Sequence, residues 1–524
     1  MRFTTKILNK ALSRLLACLV IFASGNIDAN AALNDGCGVL PTPQSIIRHE
    51  GEYSLRDTVC ITFVHSPDLH IPSKSVVEAI VGRNAEIRHK SCEQAVNMAN
   101  EAYRLTISGD GADITASDYS GLIYALQTLA QLTAGHKTVD CMTVSDSPRC
   151  AWRAFMLDSG RQWQSIESIK KYIDMASMLK LNRFHWHLTE GLGWRPEIMA
   201  YPDLTSIGSN VGTRPGQTGY YTRTQMMEIV EYARQRAVQI VPEIDMPGHS
   251  EAALAAYPWA SCAGKDIKIP ETGFSDNIFC AGKDTVIVML KTILNEICDI
   301  FPSEYIHIGG DEAPKGNWDK CPHCIKRIKD VGLNDSHDLQ LWFAAQMAAH
   351  LKSIGRKAIL WGDVMDSPGY ILPDNCVVQW WNFRKDGDLA VRNALKSGHE
   401  VILSPNYYNY LNFPVTPWAG YGPDRTFDIE DAYLRNPMSV VLDKADPRVI
   451  GATCALWTDY EVTERMIDSR VFPRIFALIQ IMWHTGTEIS LDELRADIDR
   501  LRPFFESRGF SFGPAAASQP AEGS

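Results

Sequence analysis

Asp311 and Glu312 are adjacent and follow Gly309-Gly310 directly after an apolar stretch, so two carboxylates share one strand end. Burying them there without a partner or a purpose would be costly. Such groups can do general acid/base work or stabilise a developing cation. Ordinary retaining glycosidases hold two carboxyl groups about 5 Å apart across the scissile bond, usually on different strands. Neighbours in the chain rarely flank a sugar that way. If Glu312 is the acid, Asp311 is poorly placed to attack the opposite face, and the substrate itself becomes the source of the nucleophile. A 2-acetamido sugar provides one through its carbonyl oxygen. Asp311 would then orient the acetamido N–H and stabilise the cation as an oxazolinium ring closes.

Other polar residues collect at neighbouring strand ends: Asp158 and Arg161, then His185-Trp186-His187 and Glu190, then Glu243-Ile244-Asp245 followed by His249. Later segments add Trp361, Trp381, Tyr408, Tyr410, Trp457 and Asp459. An acidic cleft walled by aromatics fits a carbohydrate, whose C–H faces stack on rings while its hydroxyls bond to carboxylates and arginine. Each piece also has a plainer reading. Trp and Tyr at barrel strand ends usually pack, and Arg161 can simply neutralise a buried Asp158. His185 and His187 lie two apart on a strand, hence on one face, where they more often close a structural hydrogen-bond network than bind a ligand. Together with His249, His307 and Asp459, that pair can also be drawn as a metal-dependent amidohydrolase site. However, it falls on the second strand, no Lys carboxylate bridge is evident, and the aromatic wall would be left unexplained. A non-catalytic sugar-binding barrel is a further alternative.

The elements that must position these groups change rhythm after Ser147-Pro148-Arg149. Before it, short alternating strands (Tyr103 to Ser108, Asp113 to Ala116) and a helix over Gly121 to Leu132 predict a small α+β domain spanning 38–147. After it, eight strand candidates begin at Ala154, Arg183, Gln239, Tyr305, Ala358, Val377, Val401 and Ile450. Helices at Ile166 to Lys180, Thr224 to Arg236, Asp284 to Ile300, His337 to Ser353, Leu389 to Ser397 and Arg465 to Trp483 return the chain between or after them. The predicted fold class is therefore α/β, a (β/α)8 TIM barrel over 148–508 preceded by the α+β domain, with catalytic groups on the loops leaving the C-terminal strand ends. The Gly, Pro, Ala and Ser-rich stretch 509–524 reads as a flexible tail.

With 51 Lys+Arg against 62 Asp+Glu, the chain lacks the basic excess of a nucleic-acid or anionic-lipid binder, so no nucleic acid is expected as partner. Residues 1–31 read as a signal peptide: Arg2, Lys6, Lys10 and Arg14 form a basic start, Leu15 to Ala23 is apolar, and Ala29-Asn30-Ala31 offers small residues for cleavage. Leu15-Leu16-Ala17-Cys18 imitates a lipoprotein box, but its apolar run follows the cysteine when it should precede it. Soluble export, periplasmic or secreted, is favoured over anchoring, and no membrane span is expected. Of 13 cysteines, one leaves with the leader, and the even remainder in an oxidising compartment predicts disulfides, with Cys262 to Cys280 the best single pairing. Cys321-Pro322-His323-Cys324 suggests zinc, but no second cysteine pair at finger spacing follows it, so no metal is expected.

Taken together, the motifs resemble the glycoside hydrolase family 20 β-N-acetylhexosaminidases. The resemblance is carried by Phe155-Met156-Leu157-Asp158-Ser159-Gly160-Arg161, His185-Trp186-His187-Leu188-Thr189, Gly193-Trp194-Arg195, Pro242-Glu243-Ile244-Asp245-Met246-Pro247-Gly248-His249, His307-Ile308-Gly309-Gly310-Asp311-Glu312 and Leu456-Trp457-Thr458. It covers about 148–505, and the preceding domain resembles the family's N-terminal one. The resemblance implies that Glu312 is general acid/base, that Asp311 positions the acetamido group and that Tyr410 hydrogen-bonds its carbonyl. It further implies that Arg161 binds the C3 and C4 hydroxyls, that Trp361, Trp381 and Trp457 wall the pocket, and that His249 belongs to a polar relay toward Glu312. No metal or organic cofactor is implied, and the substrates would be 2-acetamido-2-deoxy-hexosides on glycoprotein or mucin-type glycans. Release of a disaccharide, as by a lacto-N-biosidase, is the alternative within the family.

Three positions depart from the family's commonest pattern: Glu190, Asn412 and Asp459 stand where Asp, Asp and Glu are usual, and Gly191-Leu192 replaces an acidic and an amide residue. Asn412 and Asp459 map to the corner holding the C4 and C6 hydroxyls. One lost charge and one shortened side chain there predict tolerance of a modified sugar such as 6-sulfated N-acetylglucosamine. Glu190 puts the relay geometry in doubt, because an extra methylene moves the carboxylate by roughly a bond length and such sites tolerate about 0.5 Å.

Overall fold

Runs of four to eight apolar and β-branched residues between amphipathic helices can bury both faces only in a parallel sheet covered by its own crossover helices. In the computed structural model that sheet closes into a barrel. The structure describes residues 37–92, 98–365, 371–418, 425–459, 462–484 and 489–514. The expected signal peptide at 1–31 lies outside the described residues.

The eight barrel strands are Trp152–Asp158, Arg183–His187, Gln239–Glu243, Tyr305–His307, Lys357–Trp361, Cys376–Trp380, Glu400–Leu403 and Val449–Leu456. All neighbouring pairs run parallel, and the ring closes where Leu456 of the eighth strand meets Leu157 of the first. Register sets the chemistry: Asp158 pairs with His187, His187 with Glu243, and Glu243 with His307, which brings the polar residues of four strands to one level. Below them the barrel interior is apolar, filled by Trp152, Ala154, Val241, Tyr305, Ile359, Val377 and Ile402.

The returning helices follow the expected spans closely, among them Ile166–Met178, Asp284–Ile300 and Ser336–Ser353. The first is capped by the Ser165 hydroxyl and the last by the Asp335 carboxylate, each accepting from a first-turn N–H. The helix expected over Arg465 to Trp483 is instead two, Ile467–Val471 and Arg474–Trp483. Pro473 between them has no N–H to carry a ladder through.

The N-terminal domain is a six-stranded mixed sheet with the helices Lys74–Val81 and Tyr119–Thr133. It docks on the barrel through buried charge: Lys180 Nζ meets Asp146 at 2.8 Å with both side chains wholly buried, and Trp483 Nε1 donates to the same carboxylate at 2.9 Å. Removing one partner of such a pair costs about 3–5 kcal/mol. The helix Leu491–Glu506 packs behind the barrel, where Asp497 accepts from the Gly38 N–H. The chain expected to be loose from 509 onward is packed at its start: Phe510 is buried, and its ring lies 5.2 Å from that of Phe472. Residues 515–524 lie outside the described ones.

Candidate active site

At the C-terminal end of the barrel, Arg161, Asp311, Glu312, Trp381, Tyr410, Asn412, Trp457 and Asp459 line one cavity of about 200 Å³. These eight residues come from loops after the first, fourth, sixth, seventh and eighth strands, so only closure of the barrel assembles them. A larger cavity of about 710 Å³ lies between the N-terminal domain and the helix Leu491–Glu506 and holds none of the expected site residues.

The turn carrying the two carboxylates is strained. Gly309 and Gly310 adopt φ of 66° and 103°, and Glu312 itself sits at φ 45°, a left-handed conformation uncommon for glutamate. A Cβ on Gly309 would lie 1.7 Å from Asp245 Oδ1, so only glycine fits. Gly310 donates its N–H to that same Asp245 oxygen at 3.1 Å, and Gln340 Nε2 donates to the Gly310 carbonyl at 2.7 Å.

The turn sends the two carboxylates into different environments. Asp311 is buried, its Oδ1 has no hydrogen-bond partner, and burial and then Asp245 push its pKa well above the usual aspartate value. Glu312 has 51% of its side chain exposed, and contact with His249 at 3.6 Å holds its carboxyl below the usual glutamate value. Asp363 ties this turn to the aromatic wall, accepting the Glu312 N–H at 3.3 Å and the Trp381 indole N–H at 2.5 Å. Trp381 and Tyr410 face each other with rings 6.4 Å apart and an interplanar angle of 11°.

Behind the cavity runs a chain of alternating charge. Arg161 reaches Asp158 at 3.0 Å and Glu190 at 2.5 Å, and its guanidinium lies 5.1 Å over the Trp457 ring. Glu190 also meets His249 Nδ1 at 3.1 Å, and His249 Nε2 faces Asp311 at 3.5 Å and Glu312 at 3.6 Å. Burial disfavours the charged form of His249, but Glu190 and then Asp311 outweigh it and raise its pKa well above the usual histidine value. The longer Glu190 thus keeps its contact with His249, whereas His249 Nε2 makes no hydrogen bond onward and meets Asp311 and Glu312 only as a charge at 3.5 and 3.6 Å. The Glu190 carboxylate is held well below the usual range by Arg161 and His249 against the opposing effect of burial.

His185 and His187 sit one layer lower, wholly buried, and both bond to Glu243 Oε2, at 2.8 and 2.6 Å. Glu243 Oε1 takes the Trp361 indole N–H at 2.8 Å and faces His307 at 3.1 Å. Glu243 thus gathers all three histidines around one carboxylate inside the barrel, below the cavity, although His185 Nδ1, His187 Nε2 and His307 Nε2 remain without a hydrogen-bond partner. It also places Trp361 beneath the pocket, not in its wall, because its indole nitrogen is bound to a carboxylate inside the barrel. His249 and Glu190 likewise stand behind the cavity.

Several lining residues escaped the sequence reading. Asn406, Tyr407, Phe413 and Arg425 reach the cavity, whereas Tyr408 packs against Phe383. Asp245, already noted at its strand end, supports the carboxylate turn together with Asp363, which does not stand out from other acidic residues in the sequence. Asn412 Nδ2 donates to Asp459 Oδ1 at 3.1 Å, joining the two unusual positions into one corner.

The cysteine expectation is corrected. All twelve described cysteines are free thiols, so Cys262 and Cys280 are not bridged. The second cysteine pair sought downstream of Cys321-Pro322-His323-Cys324 lies upstream instead, because Cys262 and Cys280 fold against Cys321 and Cys324.

Residues 150–486 match the glycosyl hydrolase family 20 catalytic domain, and residues 36–147 match domain 2 of the same family. A beta-hexosaminidase of Porphyromonas gingivalis is 34% identical over 483 residues, covering 86% of this chain, and the chain spans 60% of that relative's length. The crystal structure of a beta-N-acetylhexosaminidase from Bacteroides fragilis superposes with a TM-score of 0.84 at 48% identity, covering 91% of this chain and 97% of that one. An exo beta-N-acetylglucosaminidase from Vibrio harveyi, solved in complex with N-acetylglucosamine, gives a TM-score of 0.79 at 26% identity over 91% of this chain and 78% of that one.

Proposed function

The chain belongs to glycosyl hydrolase family 20, and on that premise we propose that it is an exo-acting β-N-acetylhexosaminidase, removing terminal non-reducing β-linked GlcNAc or GalNAc from glycans with retention. One observation carries the reading. Two consecutive carboxylates share a cavity of about 200 Å³, one buried with an unpartnered oxygen and the other exposed and tied to a histidine.

In this reading the acetamido carbonyl oxygen attacks C1, Glu312 protonates the departing glycosidic oxygen, and a bicyclic oxazolinium forms. Water then adds at C1, Glu312 takes its proton, and the ring opens to the retained sugar. Asp311, through the oxygen that has no protein partner, accepts the acetamido N–H and offsets the ring's positive charge. Tyr410, buried beside Trp381, donates in this reading to the acetamido carbonyl oxygen. The Glu190 to His249 chain holds the Glu312 carboxyl in place. A bound aglycone would cover that half-exposed carboxyl, and loss of solvent raises a carboxyl pKa toward the protonated form an acid needs. Arg161, fixed between two carboxylates, presents its remaining donors to ring hydroxyls.

The cavity is smaller than the roughly 300–1,000 Å³ of drug-sized sites, which supports a single ring over the disaccharide of a lacto-N-biosidase. The sulfate reading gains support from Arg425, which adds a second guanidinium to the cavity that Asn412 and Asp459 also line. Comparing 6-sulfated with plain aryl N-acetylglucosaminides tests it. Retained turnover of the sulfated compound that falls on Arg425→Ala is expected, and no turnover of the sulfated compound removes the idea. Export, read from residues 1–31, fits extracellular glycans as substrates.

The main test pairs an aryl 2-acetamido-2-deoxy-β-glucoside with the matching β-glucoside bearing a C2 hydroxyl. Turnover of the first alone is expected, and with a poor aryl leaving group it should fall sharply in Glu312→Gln. Equal rates on both would overturn substrate-assisted hydrolysis.

A further inference from the structure

Outside the glycan cavity, four cysteines from two loops meet. Cys262 and Cys280 belong to the long connection after the third barrel strand, and Cys321 and Cys324 flank the start of the helix Pro322–Val331 after the fourth. One sulfur from each lies within 4.8 Å of the other three. Cys262 to Cys324 and Cys280 to Cys321 measure 3.8 Å, and Cys280 to Cys324 measures 3.5 Å. Four thiolates around a tetrahedral ion at about 2.3 Å stand about 3.8 Å apart, so these separations are those of a tetrathiolate centre.

The surrounding backbone is shaped to the same end. A Cβ on Gly282 would lie 2.2 Å from the His323 carbonyl carbon and 2.3 Å from the Cys324 nitrogen, so the two loops can approach only because residue 282 is glycine. Cys280, Cys321 and Cys324 are buried and Cys262 is partly so, which leaves no open coordination position facing a substrate. Cationic side chains border the cluster: Lys283 Nζ donates to the Trp259 and Ser261 carbonyls at 2.8 and 2.7 Å, and Arg327 donates to the Gly282 carbonyl at 3.4 Å. They suit a centre carrying net negative charge.

We propose that Cys262, Cys280, Cys321 and Cys324 bind one zinc ion as a structural centre that staples the third and fourth βα loops together. Binding is an exchange without redox change: four thiols release four protons, and one divalent cation joins four thiolates to leave a net charge of minus two. A closed tetrahedral thiolate set favours zinc over harder divalent cations. The staple bears on the catalytic end without touching substrate. The first loop carries Phe274, whose ring lies 5.5 Å from that of His249, and Phe279 donates its N–H to Pro247 at 3.0 Å. The second loop carries Asp311 and Glu312, and Trp318 and Asn317 on it donate to the Phe279 and Asp276 carbonyls at 3.0 and 2.7 Å. This proposal stands whether or not the glycosidase reading does.

Elemental analysis of the full chain, purified without chelator, is expected to give one zinc per chain. Titration with an organomercurial in the presence of a zinc-sensitive dye is expected to release that one equivalent as four thiols are consumed. Exchange with cobalt(II) gives a readout that needs no variant: intense visible d–d bands of a tetrahedral ion with near-ultraviolet thiolate charge transfer. The double variant Cys321→Ser/Cys324→Ser is expected to lose both the metal and the cobalt spectrum. Peptide mapping that finds Cys262 bonded to Cys324, or Cys280 to Cys321, in place of metal overturns the proposal. So does a reduced, metal-free chain that yields no tetrahedral thiolate spectrum on adding cobalt.

Discussion

Asp245 lies against Asp311, carboxylate oxygens of the two coming within 4.8 Å of one another where both side chains are buried. Two carboxyls this close cannot both ionise freely. Burial, only partly offset by His249, raises Asp245 to about 7, and burial and then Asp245 raise Asp311. Asp245→Asn keeps an acceptor for the Gly310 N–H but removes one charge, so Asp311 should ionise at lower pH. If turnover needs ionised Asp311, the acid limb of kcat/KM moves to lower pH in the variant. A full pH profile reads the shift, and an unmoved acid limb would mean that another group sets it.

Glu312→Gln removes the proton donor while keeping its shape. General acid catalysis is worth roughly 10²–10⁴-fold, so natural glycans and poor aryl leaving groups should lose that much in kcat. In kcat/KM, which reports the steps up to departure of the leaving group, a dinitrophenyl glycoside that departs without help should lose far less, although its kcat also falls because Glu312 activates the water of the second step. Equal losses in kcat/KM on both would show that residue 312 does not protonate the leaving group.

Asp311→Asn leaves a side chain that can still hydrogen-bond but removes the charge facing the closing ring. Losing such an electrostatic contact costs on the order of 10²–10³ in kcat, with KM much less affected. A variant that changed KM alone would assign Asp311 to ground-state binding.

Glu190→Asp shortens the carboxylate that bridges Arg161 at 2.5 Å and His249 at 3.1 Å. The shorter side chain cannot hold both contacts in this backbone, so kcat/KM should fall about 10-fold, one charge-assisted hydrogen bond being worth roughly 1.5–3 kcal/mol. Unchanged or improved kinetics would show that the longer glutamate does not set the relay geometry here.

Gly309→Ala forces a Cβ onto Asp245 at a positive φ of 66°. Strain at such a position costs of order 1–3 kcal/mol before the steric clash is counted. Thermal unfolding should show a clear drop in Tm or loss of soluble protein, and a variant melting with wild type would contradict the packing described.

Local order was legible in the chain alone. Strand and helix periodicity located all eight barrel strands to within a few residues, because a buried parallel strand must be apolar along its length and the helix covering it amphipathic. The adjacency of Asp311 and Glu312 already argued against a two-carboxylate glycosidase, since neighbours along a chain cannot straddle a bond. Arg161 and Trp457 could be named from their motifs, Trp381 and Tyr410 as aromatics given a role by the family resemblance, and all four converge on one cavity.

What only the tertiary structure decided is everything that depends on loops from different strands meeting. Trp361 reads like the other tryptophans, yet register turns its indole inward to Glu243, with which it closes the histidine network. Arg425 and Tyr407 gain their place in the cavity from loop paths that no period encodes. The cysteines make the case most plainly: spacing along the chain offered a Cys262 to Cys280 bridge and an incomplete metal motif, and folding merged the two into one four-sulfur cluster. Hydrophobic periodicity is a property of consecutive residues, whereas a site is a property of distances across the barrel, and those exist only once the ring has closed.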